Sequence, residues 1–168
     1  MSAPSPQTIL NAVHQALAED LSHGDVTTSA LFPTALRTTA SIVAHQPMTV
    51  AGAAVAREVF LAVDPSVRIL KTVKDGRSVK ADTPVLTVQG DVRSLLMAER
   101  VAVNFLQQLS GIATLTTQFC AAVRGYPTRI LDSQSVSSFH RLLLALLMLF
   151  LIELTVPNHL PKQYYLDL

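Results

Sequence analysis

Residues 91–111 read DVRSLLMAERVAVNFLQQLSG, and this stretch decides the fold. Leu95, Ala98, Ala102, Phe105 and Leu109 recur at the three- and four-residue steps of a single helix face. Arg93, Arg100, Asn104 and Gln107 form a second line at i, i+7, i+11 and i+14. These offsets are close to whole turns of a helix, so two cations and two amides point the same way. Such a line is either a solvated face or a surface that meets an anion or a second subunit. Asp91 stands where its carboxylate can cap the helix. Ser110-Gly111 predicts a break, with a second helix over residues 112–123.

Upstream, the pattern alternates between two periods. Ile9, Ala12, Val13, Ala16, Leu17 and Leu21 predict a helix over residues 9–21, preceded by a flexible lead over residues 1–8. Residues 38–50 predict a strand, since Ala40, Ile42 and Ala44 alternate with Ser41, Val43 and His45. Residues 52–63 read as a helix closed by Asp64-Pro65, and residues 67–73 as a strand. Lys74-Asp75-Gly76-Arg77 reads as a hairpin turn and Asp82-Thr83-Pro84 as another. Val79, Val85, Leu86 and Val88 belong to short strands between and after them. A further short strand is expected over residues 128–131, ending at Asp132. Helices segregated from short strands give an α+β fold.

Composition bounds the function. The 168 residues allow one domain, or one domain and a fragment. A net charge of +1 argues against a nucleic-acid binder, which would carry a basic excess. One cysteine excludes a disulfide framework and a cysteine-based zinc cluster. Cys120, in the apolar run Phe119-Cys120-Ala121-Ala122-Val123, reads as a structural thiol. The start of the chain lacks a basic segment followed by an apolar one, so the expected location is the cytoplasm. His23 and His45 have no spaced partner for a metal site. Asp25 and Thr27 read as turn residues that satisfy backbone groups.

Apolar residues make up 49% of the chain and charged ones 15%, and the excess is uneven. Of 25 Leu, 11 follow Asp132, and none of the six Gly lies beyond Gly125. Residues 142–152 are eleven consecutive apolar residues. A membrane-spanning helix needs about 20, and Glu153 and Pro157 stop the run, so it reads as buried or aggregation-prone and a membrane role is not expected.

Three segments carry a resemblance to a known family. Glu19-Asp20-Leu21-Ser22-His23-Gly24-Asp25-Val26-Thr27 resembles the E-D-L-x-x-G-D-x-T segment of quinolinate phosphoribosyltransferases. Arg93-Ser94-Leu95-Leu96-Met97-Ala98-Glu99-Arg100 is similar to their S-L-L-x-x-E-R. Asn104-Phe105-Leu106-Gln107-Gln108-Leu109-Ser110-Gly111-Ile112-Ala113-Thr114 is similar to their N-x-L-x-x-L-S-G-I-A-T run. The similarity extends over about residues 9–132. A related molybdenum-transport-associated family shares the architecture.

The resemblance implies an N-terminal α/β sandwich domain of a type II phosphoribosyltransferase, with barrel-sandwich-like hairpins, followed in the family by an open α/β barrel. It implies the conversion of quinolinate and phosphoribosyl pyrophosphate to nicotinate mononucleotide, pyrophosphate and carbon dioxide, in NAD synthesis and with magnesium. It also implies a homodimer or larger assembly, in which the N-terminal domain of one subunit covers the barrel mouth of its neighbour. The Arg of E-R grips a substrate carboxylate across that interface in the family, and it corresponds to Arg100. A guanidinium suits this task because its planar fork matches a carboxylate with two charge-assisted hydrogen bonds. The ordinary alternative for Arg100 is a pair with a Glu or another helix-surface pair, worth little.

After Asp132 the pattern changes. The family continues T-R-K-T-x-P-G-x-R and later G-G-G-x-N-H-R, whereas this chain reads Ser133-Gln134-Ser135-Val136-Ser137-Ser138-Phe139-His140-Arg141. His140-Arg141 comes too early to be the family's H-R pair. The expectation is residues 9–110 as the N-terminal domain, 111–132 as a linking helix and first barrel strand, and 133–168 as a Leu-rich tail outside the family pattern, with the barrel essentially absent. Codons for Asp132 to Ser135 exist that read Thr-Arg-Lys one base later, so a frameshift is the expected origin of the tail. Two other readings stand beside the enzyme. One is a non-catalytic remnant that still dimerises. The other is a lipoyl- or biotinyl-type carrier, for which Lys80-Ala81-Asp82 lacks the required lysine-tip motif.

Overall fold

The computed structural model describes residues 5–21, 34–127 and 130. The expected strand over residues 128–131, the turn at Asp25 and Thr27, and His23 lie at least in part outside them, as does the whole of the Leu-rich tail. The described chain runs α1 (Pro6–Asp20), β1 (Arg37–Ala44), β2 (Met48–Thr49), α2 (Ala53–Val63), β3 (Arg68–Thr72), β4 (Ser78–Val79), β5 (Thr83–Asp91) and α3 (Val92–Ala122).

β5 is the centre of a three-stranded antiparallel sheet of order β1-β5-β3. Arg37 pairs with Asp91 and Ala44 with Thr83, with a register shift between Ile42 and Val43. The outer face of the sheet is polar. There the Ser41 and Thr87 hydroxyls meet at 2.9 Å and Gln89 Nε2 donates to Thr39 Oγ1 at 3.4 Å. Val85, Leu86 and Val88 of β5 are buried with Val55, Val59 and Phe60 of α2 and the stripe of α3, in a single core that Val13 and Leu17 of α1 close. No buried side-chain nitrogen or oxygen among the described residues lacks a hydrogen-bond partner. α1 begins three residues before the expected start. Ser5 caps it by accepting from the Thr8 N–H at 3.2 Å, and Pro6 occupies the first turn, where its missing N–H costs nothing.

The strand expected over residues 38–50 is two strands. The turn at Lys74-Asp75-Gly76-Arg77 exists, with Gly76 at φ 89, but it joins no hairpin. β3 pairs with β5, and β4 pairs with β2. The reason is local. The turn docks on the chain that enters α2: Gly76 N–H donates to Val50 O at 2.6 Å and Val50 N–H to Arg77 O at 3.0 Å. Asp75 Oδ1 accepts from Ala53 N–H at 2.8 Å. Gly52, the residue at the N-cap of α2, has φ 87 and no side chain, so a carboxylate from a distant turn does the capping. Gly52 is also where α3 comes closest. A Cβ there would collide with Leu109 Cδ1 and lie 3.3 Å from Leu109 Cβ.

The expected break at Ser110-Gly111 is absent, and α3 is one helix of 31 residues, about 46 Å long. A glycine inside a helix costs only about 1 kcal/mol relative to alanine, and Gly111 itself is exposed; its neighbour is what ties this turn to the domain. Ser110 is buried, and its hydroxyl accepts from Ala51 N–H and donates to Ala51 O, both at 3.1 Å. One turn on, Thr114 Oγ1 accepts from Thr49 N–H at 2.9 Å. The α3 hydroxyls thus serve the Thr49 and Ala51 backbone, while Val50 between them is held by Gly76 and Arg77.

Candidate functional site

The apolar line of α3 is buried as the sequence requires: Leu95, Ala98, Ala102, Phe105 and Leu109 all lie in the core. The polar line divides into separate tasks. Asp91 caps α3, accepting from Arg93 N–H at 3.0 Å, and the Arg93 Nε–H donates to the same oxygen at 3.0 Å. The Arg93 guanidinium, and then the backbone bond, hold the Asp91 carboxyl below its ordinary pKa. Arg93 is therefore occupied at the cap. Asn104 and Gln107 are exposed.

Arg100 is the prominent cation of the line, with its side chain 75% exposed. One Nη donates to Asp20 Oδ1 at 3.4 Å. Asp20 ends α1 and belongs to the first of the three family-like segments, eighty residues away. The surface pair expected as the ordinary alternative is present, and its acid is Asp20. A guanidinium has five N–H donors, and this long bond uses one. An exposed pair of this kind contributes about 0–1 kcal/mol. It orients the fork without consuming it.

A concavity of about 820 Å³ lies elsewhere, along the line where β1 runs beside α3. Its walls include Thr38, Ala40 and Ile42 on the sheet and Leu96, Val103 and Gln107 on the helix. Arg100 and Asn104 are not among its lining residues. The sequence reading missed this groove, although Leu96 and Val103, seven residues apart on α3, mark its apolar wall. His45 is exposed at its edge, as a surface histidine. Cys120 is half-buried against the core, and loss of hydration raises its pKa. His140 and Arg141 lie outside the described residues. Among the described residues no group of three His, Cys, Asp or Glu converges on a point. Among them, too, no helix is long and apolar enough to cross a membrane.

The fold and site define a class: an α+β domain whose exposed, lightly tethered arginine stands on a long helix, outside the groove between β1 and α3. Residues 25–110 match the family model described as quinolinate phosphoribosyl transferase, N-terminal domain. A probable nicotinate-nucleotide pyrophosphorylase (carboxylating) from Synechocystis is 37% identical over 147 residues, covering 83% of this chain and 50% of its own length. The nicotinate-nucleotide pyrophosphorylase (carboxylating) of Mycobacterium leprae is 41% identical over 129 residues, 74% of this chain and 45% of that protein. The solved nicotinate-nucleotide pyrophosphorylase of Francisella tularensis superposes with a TM-score of 0.80 at 30% identity, covering 89% of this chain and 54% of that one. The chain belongs to the quinolinate phosphoribosyltransferase family, and the fold described above is that family's N-terminal domain. It spans about half the length of the curated relatives it matches.

Proposed function

We propose that this chain is the carboxylate-gripping arm of a nicotinate-nucleotide pyrophosphorylase (carboxylating), with Arg100 as the substrate-binding residue. Quinolinate carries two carboxylates on a pyridine ring. One fork of Arg100 would hold one of them while the barrel of a neighbouring subunit holds the ring, the second carboxylate and phosphoribosyl pyrophosphate. The products would be nicotinate mononucleotide, pyrophosphate and carbon dioxide. The observation that carries this reading is the state of Arg100: 75% exposed, with one Nη at 3.4 Å from Asp20 Oδ1. A site formed across two subunits is also consistent with an arginine that lies outside the groove of its own domain.

In this reading the assembly is a homodimer or larger. Magnesium would accompany phosphoribosyl pyrophosphate in the barrel rather than bind the residues described here, and the reaction would take place in the cytoplasm. The sequence after Asp132 has neither the T-R-K run nor a glycine-rich loop, so the purified 168-residue protein should form no nicotinate mononucleotide alone. A related transport-associated function and a non-catalytic dimerising role remain the alternatives to this reading.

Complementation is the test. An intact relative whose own E-R arginine is replaced by Ala should regain quinolinate turnover when mixed with this chain. It should not when this chain carries Arg100→Ala. Equal rescue by both would remove Arg100 from the site, and hetero-oligomers without any rescue would favour the dimerising remnant.

A further inference from the structure

The last turn of α1 breaks a local rule. A helix carries partial negative charge at its C-terminus and favours cations there. α1 ends instead on two acids, Glu19 and Asp20, with no basic residue in its last turn. For α1 taken alone this ending is unfavourable. A residue that breaks a local rule points to a compensation elsewhere in the fold, often at a functional site. The compensation is Arg100 of α3, whose Nη donates to Asp20 Oδ1 at 3.4 Å.

The two partners are unequal. The Asp20 side chain is 24% exposed and that of Arg100 75%. Asp20 stands between Leu17, in the core, and Leu21, packed against it, and the Leu21 N–H donates to Leu17 O. A short side chain on so fixed a turn leaves the carboxylate little room to move. Arg100 also leaves from a fixed backbone, flanked by the buried Ala98 and Val101. Its side chain, however, is long and rich in rotamers. Asp20 is thus the anchor of the pair and Arg100 its moving part.

We propose that Asp20 is a positioning residue for the substrate grip. It holds one Nη of Arg100, so that the edge formed by Nε and the other Nη meets a substrate carboxylate in one orientation. This rests on the reading of Arg100 as the substrate-binding residue. A side chain ordered before binding loses less freedom when it binds. Asp20 also repels an incoming carboxylate, but solvent around the exposed guanidinium screens that repulsion.

Nitrogen relaxation of the Arg100 Nε–H in the full chain is the first test. Asp20→Ala should lower its order parameter by about a quarter, and Asp20→Asn, which keeps an acceptor oxygen, should lower it less. Unchanged motion in Asp20→Ala would overturn the proposal. The second test is titration of quinolinate into the mixed assembly of this chain with an intact relative that lacks its own E-R arginine. Asp20→Ala should weaken binding about threefold or more, the cost of ordering one long side chain, with Asp20→Asn in between. In an Arg100→Ala background, Asp20→Ala should add nothing. The thermal midpoint should hold or rise, because an acid leaves the negative end of α1. A midpoint that falls along with affinity would contradict the proposal, since a merely structural Asp20 would lose both. Parent affinity in Asp20→Ala beside a weakened Arg100→Ala would overturn the positioning role and leave the grip standing. Parent affinity in Arg100→Ala would overturn both. Tighter binding in Asp20→Ala would make Asp20 a competitor for Arg100, and equal losses in both backgrounds would make it act elsewhere; either result contradicts the proposal.

Discussion

The two sides of α3 obey different physics. One side holds Leu95, Ala98, Ala102, Phe105 and Leu109 against α2 and the sheet, and it is stitched by Ser110 and Thr114 to the backbone at residues 49–51. Every group there has a partner, and the backbone of Gly52 makes room for Leu109. The other side holds Arg100, Asn104 and Gln107 in solvent, with one long bond from Arg100 to Asp20. The buried side decides whether the domain exists. The exposed side decides what the domain can hold. A substitution should therefore move stability or binding, and seldom both.

The largest effect belongs to the buried side. Leu109→Ala removes a side chain with no exposed surface, packed over a residue that cannot refill the space. It should cost about 2–5 kcal/mol in denaturant unfolding, with no specific change in how a carboxylate is held. A cost below about 1 kcal/mol would mean that α3 does not sit on Gly52 as described.

The intermediate effect lies at the start of α2. Asp75→Ala removes a cap and should cost about 1 kcal/mol, whereas Asp75→Asn keeps an oxygen for Ala53 N–H and should cost less. The Asp75 carboxyl has a raised pKa because its position at the helix entry removes hydration, against the pull of the Ala53 and Gly52 N–H bonds. The residue as a whole is exposed, so solvent screens the effect and its size is small. Its sign is still defined. A group whose pKa is raised on folding adds stability that is complete below its unfolded value, about 3.9, and is lost as pH rises through the folded value. Asp64 and Asp91, held low by hydrogen bonds from Ser66 and Arg93, act in the opposite sense and lose their contribution as pH falls through their folded values. Titration of stability across the acid range should show Asp75→Asn with a smaller gain below neutral pH than the parent.

Sequence and structure agree where an element's identity is written in its own residues. The α3 stripe, the Asp91 cap and the helix at residues 53–63 could each be read from spacing and one polar side chain. They diverge where distant residues decide. Ser110-Gly111 has the composition of a helix stop, but Ala51 supplies the partners that keep Ser110 in the helix. Lys74-Asp75-Gly76-Arg77 has the composition of a hairpin, but residues 50–53 capture the turn and send β3 and β4 to different sheets. The site divides the same way. Arg100 is legible as part of a motif, whereas its partner Asp20 is fixed only by how α1 packs beside α3.

The smallest effect on stability, and the most telling on binding, is at Arg100. Arg100→Ala should change unfolding free energy by no more than about 1 kcal/mol, since it breaks one exposed pair. The direct measurement is calorimetric titration of quinolinate into the mixed assembly of this chain with an arginine-deficient intact relative. Loss of a charge-assisted, bidentate contact should weaken binding about tenfold or more relative to the parent mixture. The parent affinity retained in Arg100→Ala, with the assembly intact, would contradict the assignment of this face as the carboxylate grip.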